Sequence, residues 1–423
     1  MLALGLLDGG GGPGAGAAQA RRAPGCPGPR WVAAWEAPPS TGVAHDFGGQ
    51  TLREVVSPHF AGPAIRVRLS NRFGRGPLVV GDATVARRGA GAALVPDTTR
   101  ALTFRGARRV SIPAGATVHS DPVRFRIAPF SDLAVSLYLG APASPATEHT
   151  TALQTSFAAS GDHVSDGSAR AFAHTMTAWD FLTGVEVLTA RPARTMVAFG
   201  DSITDGAGST PDRNLRWPDL LTRRLQSGGA AGTLAVVNAG ITGNRLLADT
   251  DRYGPSGLRR LPGDVLSQPG LGAVIMLLGI NDIGNPEGEA GRPAGAGAII
   301  GAYRTVIRRV HAAGAKLFIG TLTPAGDPTA PTAHGPGYSS PAGVAERAAV
   351  NRWIRRGRGF DGVIDFDRAI RDPRTPNHIR ATFNSGDNLH PNDAGYRALA
   401  DAVPLGRLVR AGGDRGTGSP RCG

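Results

Sequence analysis

The chain has 423 residues, of which 41% are apolar, 19% charged and 6% aromatic, a balance that excludes a disordered polymer or an extended coiled coil. Its 46 basic residues outnumber its 33 acidic ones, but Lys316 is the only lysine, and 61 glycines and 33 prolines share the same lean toward residues with GC-rich codons. The arginine pairs Arg87-Arg88, Arg108-Arg109, Arg223-Arg224, Arg308-Arg309 and Arg355-Arg356 are scattered, with no basic run and no interleaved aromatics, so no nucleic-acid partner is expected.

A single core rarely grows past ~250–300 residues, so two domains are expected. Residues 1–30 read as a leader. Met1–Leu7 is a short apolar segment without a basic flank, broken by Asp8 and followed by Ala18-Gln19-Ala20, which resembles a small-residue cleavage site. Export is the expectation, with a floppy leader on a cytoplasmic protein as the alternative. No stretch approaches the ~18 consecutive apolar residues of a membrane helix. Cys26 and Cys422 are the only cysteines, which removes thiol catalysis and cysteine metal sites and leaves open whether the two pair.

Residues 31–190 read as short strands with apolar and polar residues alternating, as in Ala64-Ile65-Arg66-Val67-Arg68-Leu69, Val123-Arg124-Phe125-Arg126-Ile127 and Leu133-Ala134-Val135-Ser136-Leu137. Turn residues such as Asn71-Arg72-Phe73-Gly74 and Pro113-Ala114-Gly115 separate them, which predicts an all-β sandwich or jelly-roll domain. After a linker near 188–194 the rhythm changes to buried strands followed by amphipathic helices, the mark of an α/β domain with a parallel sheet, here over 191–412 with a tail at 413–423. Strands are predicted at 195–200, 233–238, 273–278, 316–322 and 363–366. Helices are predicted from Trp217-Pro218 and over 298–312, 342–356 and 393–402. The Gly/Ala-rich tracts at 9–18 and 288–297 read as loops.

Ligands of an open parallel sheet gather at the carboxyl ends of its strands, so the residues just after each strand are the candidates for chemistry. The first strand runs into Gly200-Asp201-Ser202-Ile203-Thr204-Asp205-Gly206, the second into Asn238-Ala239-Gly240-Ile241-Thr242-Gly243-Asn244 and the third into Gly279-Ile280-Asn281-Asp282. Asp387-Asn388-Leu389-His390-Pro391 precedes the last helix. A serine hydroxyl attacks only when a base removes its proton; His390 suits that role for Ser202, and Asp387 could hold the other ring nitrogen. An oxyanion formed at an attacked carbonyl would need donors, available from the Ser202 and Gly243 N–H groups and the Asn281 amide. Gly240 is a rival to Gly243. Asp393 rivals Asp387, although its place at the start of a helix suits a cap.

Together the four segments resemble the signature blocks of the SGNH hydrolases, also called the GDSL esterase/lipase family, over about 195–405. The likeness rests on Gly200-Asp201-Ser202, Gly243, Gly279-Ile280-Asn281-Asp282 and Asp387-Asn388-Leu389-His390, with Ile203 where the name-giving motif has leucine. It implies a three-layer α/β/α sandwich with a five-stranded parallel sheet, catalytic Ser202, Asp387 and His390, and an oxyanion hole from Ser202, Gly243 and Asn281. It further implies hydrolysis of carboxylic esters without a metal or other cofactor, as in two-domain bacterial members with a β-rich module in front. The G-x-S-x-G elbow of α/β-hydrolases is absent, because Thr204 stands at its second glycine.

The expected substrate is a small-molecule or polysaccharide ester, short-chain or carbohydrate-linked. An acyltransferase using the same acyl-enzyme is an alternative, and a carbohydrate- or surface-binding protein with a vestigial hydrolase domain is another. The histidines outside the motif, including His45, His59, His163, His311 and His378, form no metal-ligand pattern such as H-E-x-x-H. Asp201 is expected to hold the nucleophile loop. Asn244 and Asn285, Trp217 and Tyr338, and the loops 247–263, 284–296 and 324–341 are candidate pocket walls.

Overall fold

The computed structural model describes residues 28–228, 232–284 and 294–412; Cys26, Cys422, Asn285 and the leader lie outside the described residues. From Pro29 onward the described residues form one compact unit. None of their helices is long and apolar enough to cross a membrane.

Its first half is all-β, as the alternation predicts. One antiparallel sheet runs in the order Arg30–Glu36, Leu182–Thr189, Gly62–Ser70, Val123–Ile127, and a six-stranded sheet centres on Gln50–Val56, Leu133–Leu139 and Asp82–Arg87. Period-two patterning turns one face of each strand inward, so Ile65, Val67 and Leu69 of one sheet share a core with Leu52, Val135 and Leu137 of the other. Arg66 and Arg68, on the opposite face of the same strand, reach Glu186 and Glu36.

Only four residues separate Leu182–Thr189 from the first strand of the second half. That half is built on five parallel strands, β1 (Arg194–Gly200), β2 (Leu234–Gly240), β3 (Leu271–Leu277), β4 (Lys316–Gly320) and β5 (Gly362–Ile364), ordered β2-β1-β3-β4-β5. Their apolar runs are buried on both faces, as a parallel sheet between helix layers requires. The covering helices include α1 (Ser202–Asp205), α2 (Trp217–Ser227), α3 (Ala296–Ala312), α4 (Pro341–Arg355) and α5 (Asp393–Asp401). Lys316 opens β4 at the amino-terminal edge of the sheet, paired with Asp361 at 2.9 Å. The strand order reverses between β1 and β3, which opens a crevice at their carboxyl ends.

Several short elements were not foreseen: helix Gly257–Leu261 with its π-turn Pro262–Leu266, the hairpin Gly326–Asp327/Ala330–Pro331, helices Pro336–Ser339 and Phe366–Ile370, and the C-terminal helix Leu405–Gly412. The four- and five-residue helices among them carry no 3.6-residue period long enough to read, and Leu405–Gly412 spans only eight residues. The predicted second strand also runs on through Ala239 and Gly240, which stay in parallel register with Phe199 and Gly200; a Cβ on Gly240 would come within 2.2 Å of the Asp205 backbone nitrogen.

The two halves are joined by buried polar contacts. Ala33 donates its N–H to Thr195 Oγ1 at 3.0 Å and packs in the core of the parallel-sheet half. His59 places Nδ1 2.8 Å from the Val236 carbonyl and Nε2 2.9 Å from Asp219. Gln268 donates to Glu36, a buried carboxyl that desolvation pushes up to about 8 despite the nearby Arg68.

Candidate active site

At the end of β1 the chain turns sharply into α1. Gly200 is required there, since a Cβ would lie 2.1 Å from Thr204 Oγ1 and 2.6 Å from the Leu277 carbonyl. Asp201 caps α1 by accepting the Ile203 N–H at 3.1 Å, which fulfils its expected loop-holding role. Its other oxygen is buried without a partner, and burial pushes this carboxyl up to about 7 against the pull of that backbone hydrogen bond. Ser202, the first residue of α1, is 3% exposed. Its N–H has no partner among the described residues.

Residues 188 positions apart meet here. His390 Nε2 lies 2.9 Å from Ser202 Oγ, and its Nδ1 lies 2.6 Å from Asp387 Oδ2. The other Asp387 oxygen accepts the N–H groups of Leu389 and His390 at 2.9 and 2.8 Å, so the turn that carries the histidine is wound around the carboxylate. Half-burial raises the Asp387 carboxyl, but the His390 hydrogen bond and charge together with these N–H groups outweigh it and hold the group well below the usual range. Asn388 adopts φ +61°, a left-handed conformation that asparagine tolerates and that closes the turn.

Asp393 is elsewhere: its carboxylate accepts the Thr210 N–H at 2.8 Å and hydroxyl at 2.6 Å. The cap of α5 is Asn392, which accepts the Gly395 N–H, so the capping role expected of Asp393 falls one residue earlier.

Gly240 and Gly243 are separated by their N–H groups. That of Gly240 donates to Asn238 Oδ1 at 2.9 Å, whereas that of Gly243 has no partner among the described residues. Gly243 adopts φ +74° with the Tyr253 ring against it, 2.2 Å from where a Cβ would sit, so no other residue fits without moving that ring. Asn281 is 2% exposed and donates Nδ2 to the Asn244 carbonyl at 2.9 Å. One amide hydrogen of Asn281 remains uncommitted. Its Oδ1 accepts the Tyr338 hydroxyl at 2.7 Å, which fixes which end of the amide is the donor.

Asn244 faces inward rather than into a pocket: Nδ2 donates to the Tyr253 and Pro255 carbonyls, and Oδ1 accepts Arg260 Nε at 2.8 Å. Arg260, wholly buried, also donates to the carbonyls of Gly200 at 2.7 Å and Ala239 at 3.0 Å, and lies over the Phe199 ring. One guanidinium thus ties the carboxyl ends of β1 and β2 to the loop carrying Gly243. Trp217 is core, donating to Thr204 Oγ1 beneath α1.

From the β-rich half, His149 reaches Asp205, three residues after Ser202. Its Nε2 lies 3.1 Å from Asp205 Oδ1 and its Nδ1 2.8 Å from the Pro38 carbonyl, while Asp205 Oδ2 accepts both the N–H and the hydroxyl of Thr242. Burial lowers the His149 pKa, but the Asp205 charge and hydrogen bonds on both ring nitrogens outweigh it and raise it overall. Arg260, Tyr338 and His149 carry no motif of their own. Contacts alone reveal Arg260 and His149, while Tyr338, expected as a pocket wall, proves to be the partner of Asn281.

Residues 198–398 match the model of the GDSL-like Lipase/Acylhydrolase family, which identifies a carboxylic ester hydrolase domain. Among solved structures the chain is similar to the native aryl esterase of M. smegmatis (18% identity, 52% of this chain and 99% of that one, TM-score 0.39). It is also similar to a carbohydrate acetylesterase family member from Sinorhizobium meliloti (21%, 51% and 98%, 0.38) and to the acetyl xylan esterase AlAXEase (23%, 49% and 96%, 0.36). No curated protein matches the chain.

Proposed function

We propose that the protein is a serine esterase in which Ser202 attacks the carbonyl of a short-chain or carbohydrate-linked ester and is acylated. The observation that carries this reading is the line of contacts from Ser202 Oγ through His390 to Asp387, at 2.9 and 2.6 Å. His390 takes the hydroxyl proton at Nε2 and returns it to the leaving alcohol; Asp387 holds Nδ1–H and so fixes the tautomer in which Nε2 is the acceptor. Water then attacks the acyl-enzyme by the same route in reverse. The free N–H groups of Ser202 and Gly243 and the spare Asn281 amide hydrogen are the donors to the developing oxyanion.

A fluorophosphonate probe should label the wild type and not Ser202→Ala; labelling that survives the substitution would overturn the assignment. A panel of nitrophenyl esters of increasing chain length beside acetylated sugars identifies the acyl and alcohol parts.

A further inference from the structure

The loop after the Gly326–Asp327/Ala330–Pro331 hairpin lies on the turn that carries His390. Ala333 donates its N–H to the Asp387 carbonyl at 3.3 Å, and Asn388 Nδ2 donates to the Pro331 carbonyl at 3.2 Å. These contacts bring in a second histidine. His334 Nε2 lies 2.8 Å from Asp387 Oδ2, the same oxygen that His390 Nδ1 contacts, and the two rings stand edge to face with centroids 4.9 Å apart. A single carboxylate oxygen is therefore flanked by two imidazole nitrogens, one on a half-exposed side chain and one on a buried one.

We infer that His334, Asp387 and His390 form a binding site for a borderline-soft divalent cation of the zinc class, and that occupancy of this site switches the esterase off. One ligand atom from each residue lies within 4.8 Å of the other two, and a tetrahedral zinc with bonds of about 2.0–2.1 Å spaces its ligands roughly 3.3 Å apart. Two nitrogens and one carboxylate oxygen suit zinc and discriminate against magnesium and calcium, which prefer all-oxygen shells. The half-exposed His334 gives the cation an entry.

Inhibition follows from the tautomer. A cation on His390 Nδ1 bonds through the lone pair of that nitrogen, so the proton of the neutral ring must move to Nε2. No net proton is released from the ring; the N–H simply changes ends. Nε2 then presents a hydrogen to Ser202 Oγ and can no longer accept one, and the hydroxyl is left without its base. The inhibitory consequence rests on the role proposed above for His390, whereas the binding does not.

The test is calorimetric titration of zinc chloride into chelator-stripped full-length protein as wild type, Ser202→Ala and His334→Gln, with a thermal melt verifying that each variant is folded. Wild type and Ser202→Ala should bind alike. An outer-shell change already costs about 10–100-fold in metal affinity, so loss of the His334 ligand should weaken binding at least about tenfold. On the active proteins, zinc should inhibit the wild type reversibly on chelation, with the midpoint shifted upward to the same degree in His334→Gln relative to its own basal rate, and magnesium should have no effect. Equal zinc affinity in wild type and His334→Gln would overturn the site. Tight His334-dependent binding without inhibition would overturn the switch. An inactive enzyme that still binds zinc through His334 would count against the esterase reading and leave the site standing.

Discussion

Tyr338 gives its hydroxyl proton to Asn281 Oδ1 at 2.7 Å and thereby decides which edge of the amide faces as donor. The tyrosine is 4% exposed and its ring fills the space where Gly284 has no side chain. Removing the hydroxyl should lower kcat while leaving KM nearly unchanged, because orientation of an oxyanion donor matters most in the transition state. Tyr338→Phe is expected to lose about tenfold in kcat, the order of one hydrogen bond. Asn281→Ala, which removes the donor itself, should lose about 10²–10³. Steady-state kinetics on one activated ester checks both, and an equal rise in KM would place Tyr338 in ground-state binding instead.

Arg260 donates to three oxygens, those of Gly200, Ala239 and Asn244. Arg260→Leu keeps the packing over Phe199 but takes the guanidinium donor from the Ala239 carbonyl and Asn244 Oδ1 and leaves Asp264 to Arg72. A loss of about 2–4 kcal/mol in unfolding free energy is expected, read from the denaturant midpoint. A shift below about 0.5 kcal/mol would mean that the staple is dispensable.

The sandwich core contains two carboxyl groups, Glu54 and Asp180, each with an oxygen that is buried and unpartnered. Burial, reinforced by the nearby Glu148, pushes Asp180 up to about 8 from an ordinary 3.8, and burial raises Glu54 well above its usual range. Between about pH 4 and 8 the folded protein therefore keeps a proton on Asp180 that the unfolded chain has lost. Stability should fall as pH rises across that window, by at most about 1.4 kcal/mol per unit for this group, and level off above about pH 8. Asp180→Asn should reduce this slope and be more stable than the wild type at pH 8. Chemical denaturation across the pH range measures it; parallel slopes for the two proteins would refute the assignment.

Residues 191–412 expressed alone should be insoluble or inactive. They would lose Ala33 from their core, His59 from Asp219 and His149 from Asp205, leaving two buried carboxylates without their imidazole partners. A soluble fragment with full turnover would show that the β-rich half is a detachable appendage.

Much of this arrangement is readable in the amino-acid order, and the reasons differ by residue. Ser202, Asp387 and His390 are legible because their chemistry leaves few substitutes and they follow strand ends or precede a helix. The choice between Gly240 and Gly243 depends on which N–H is already spent, a contact that letters do not carry. Arg260 is invisible in a chain so rich in arginine: the composition bias that explains the basic excess also hides a guanidinium that ties β1 to β2. Tyr338 and His334 sit in a stretch of prolines, glycines and threonines with no periodicity, and only the fold brings them to Asn281 and Asp387. The joint between the halves escapes for a related reason, since His59 and His149 belong to ordinary-looking strand ends and acquire meaning from carboxylates far along the chain.

Lys316 has a practical consequence. It carries the only lysine ammonium in the protein, 39% exposed, at the edge of the sheet opposite the strand ends that lead to Ser202. Attachment through that side chain to a bead or electrode would hold the molecule by the amino-terminal edge of the sheet and leave the reactive crevice pointing away from the support.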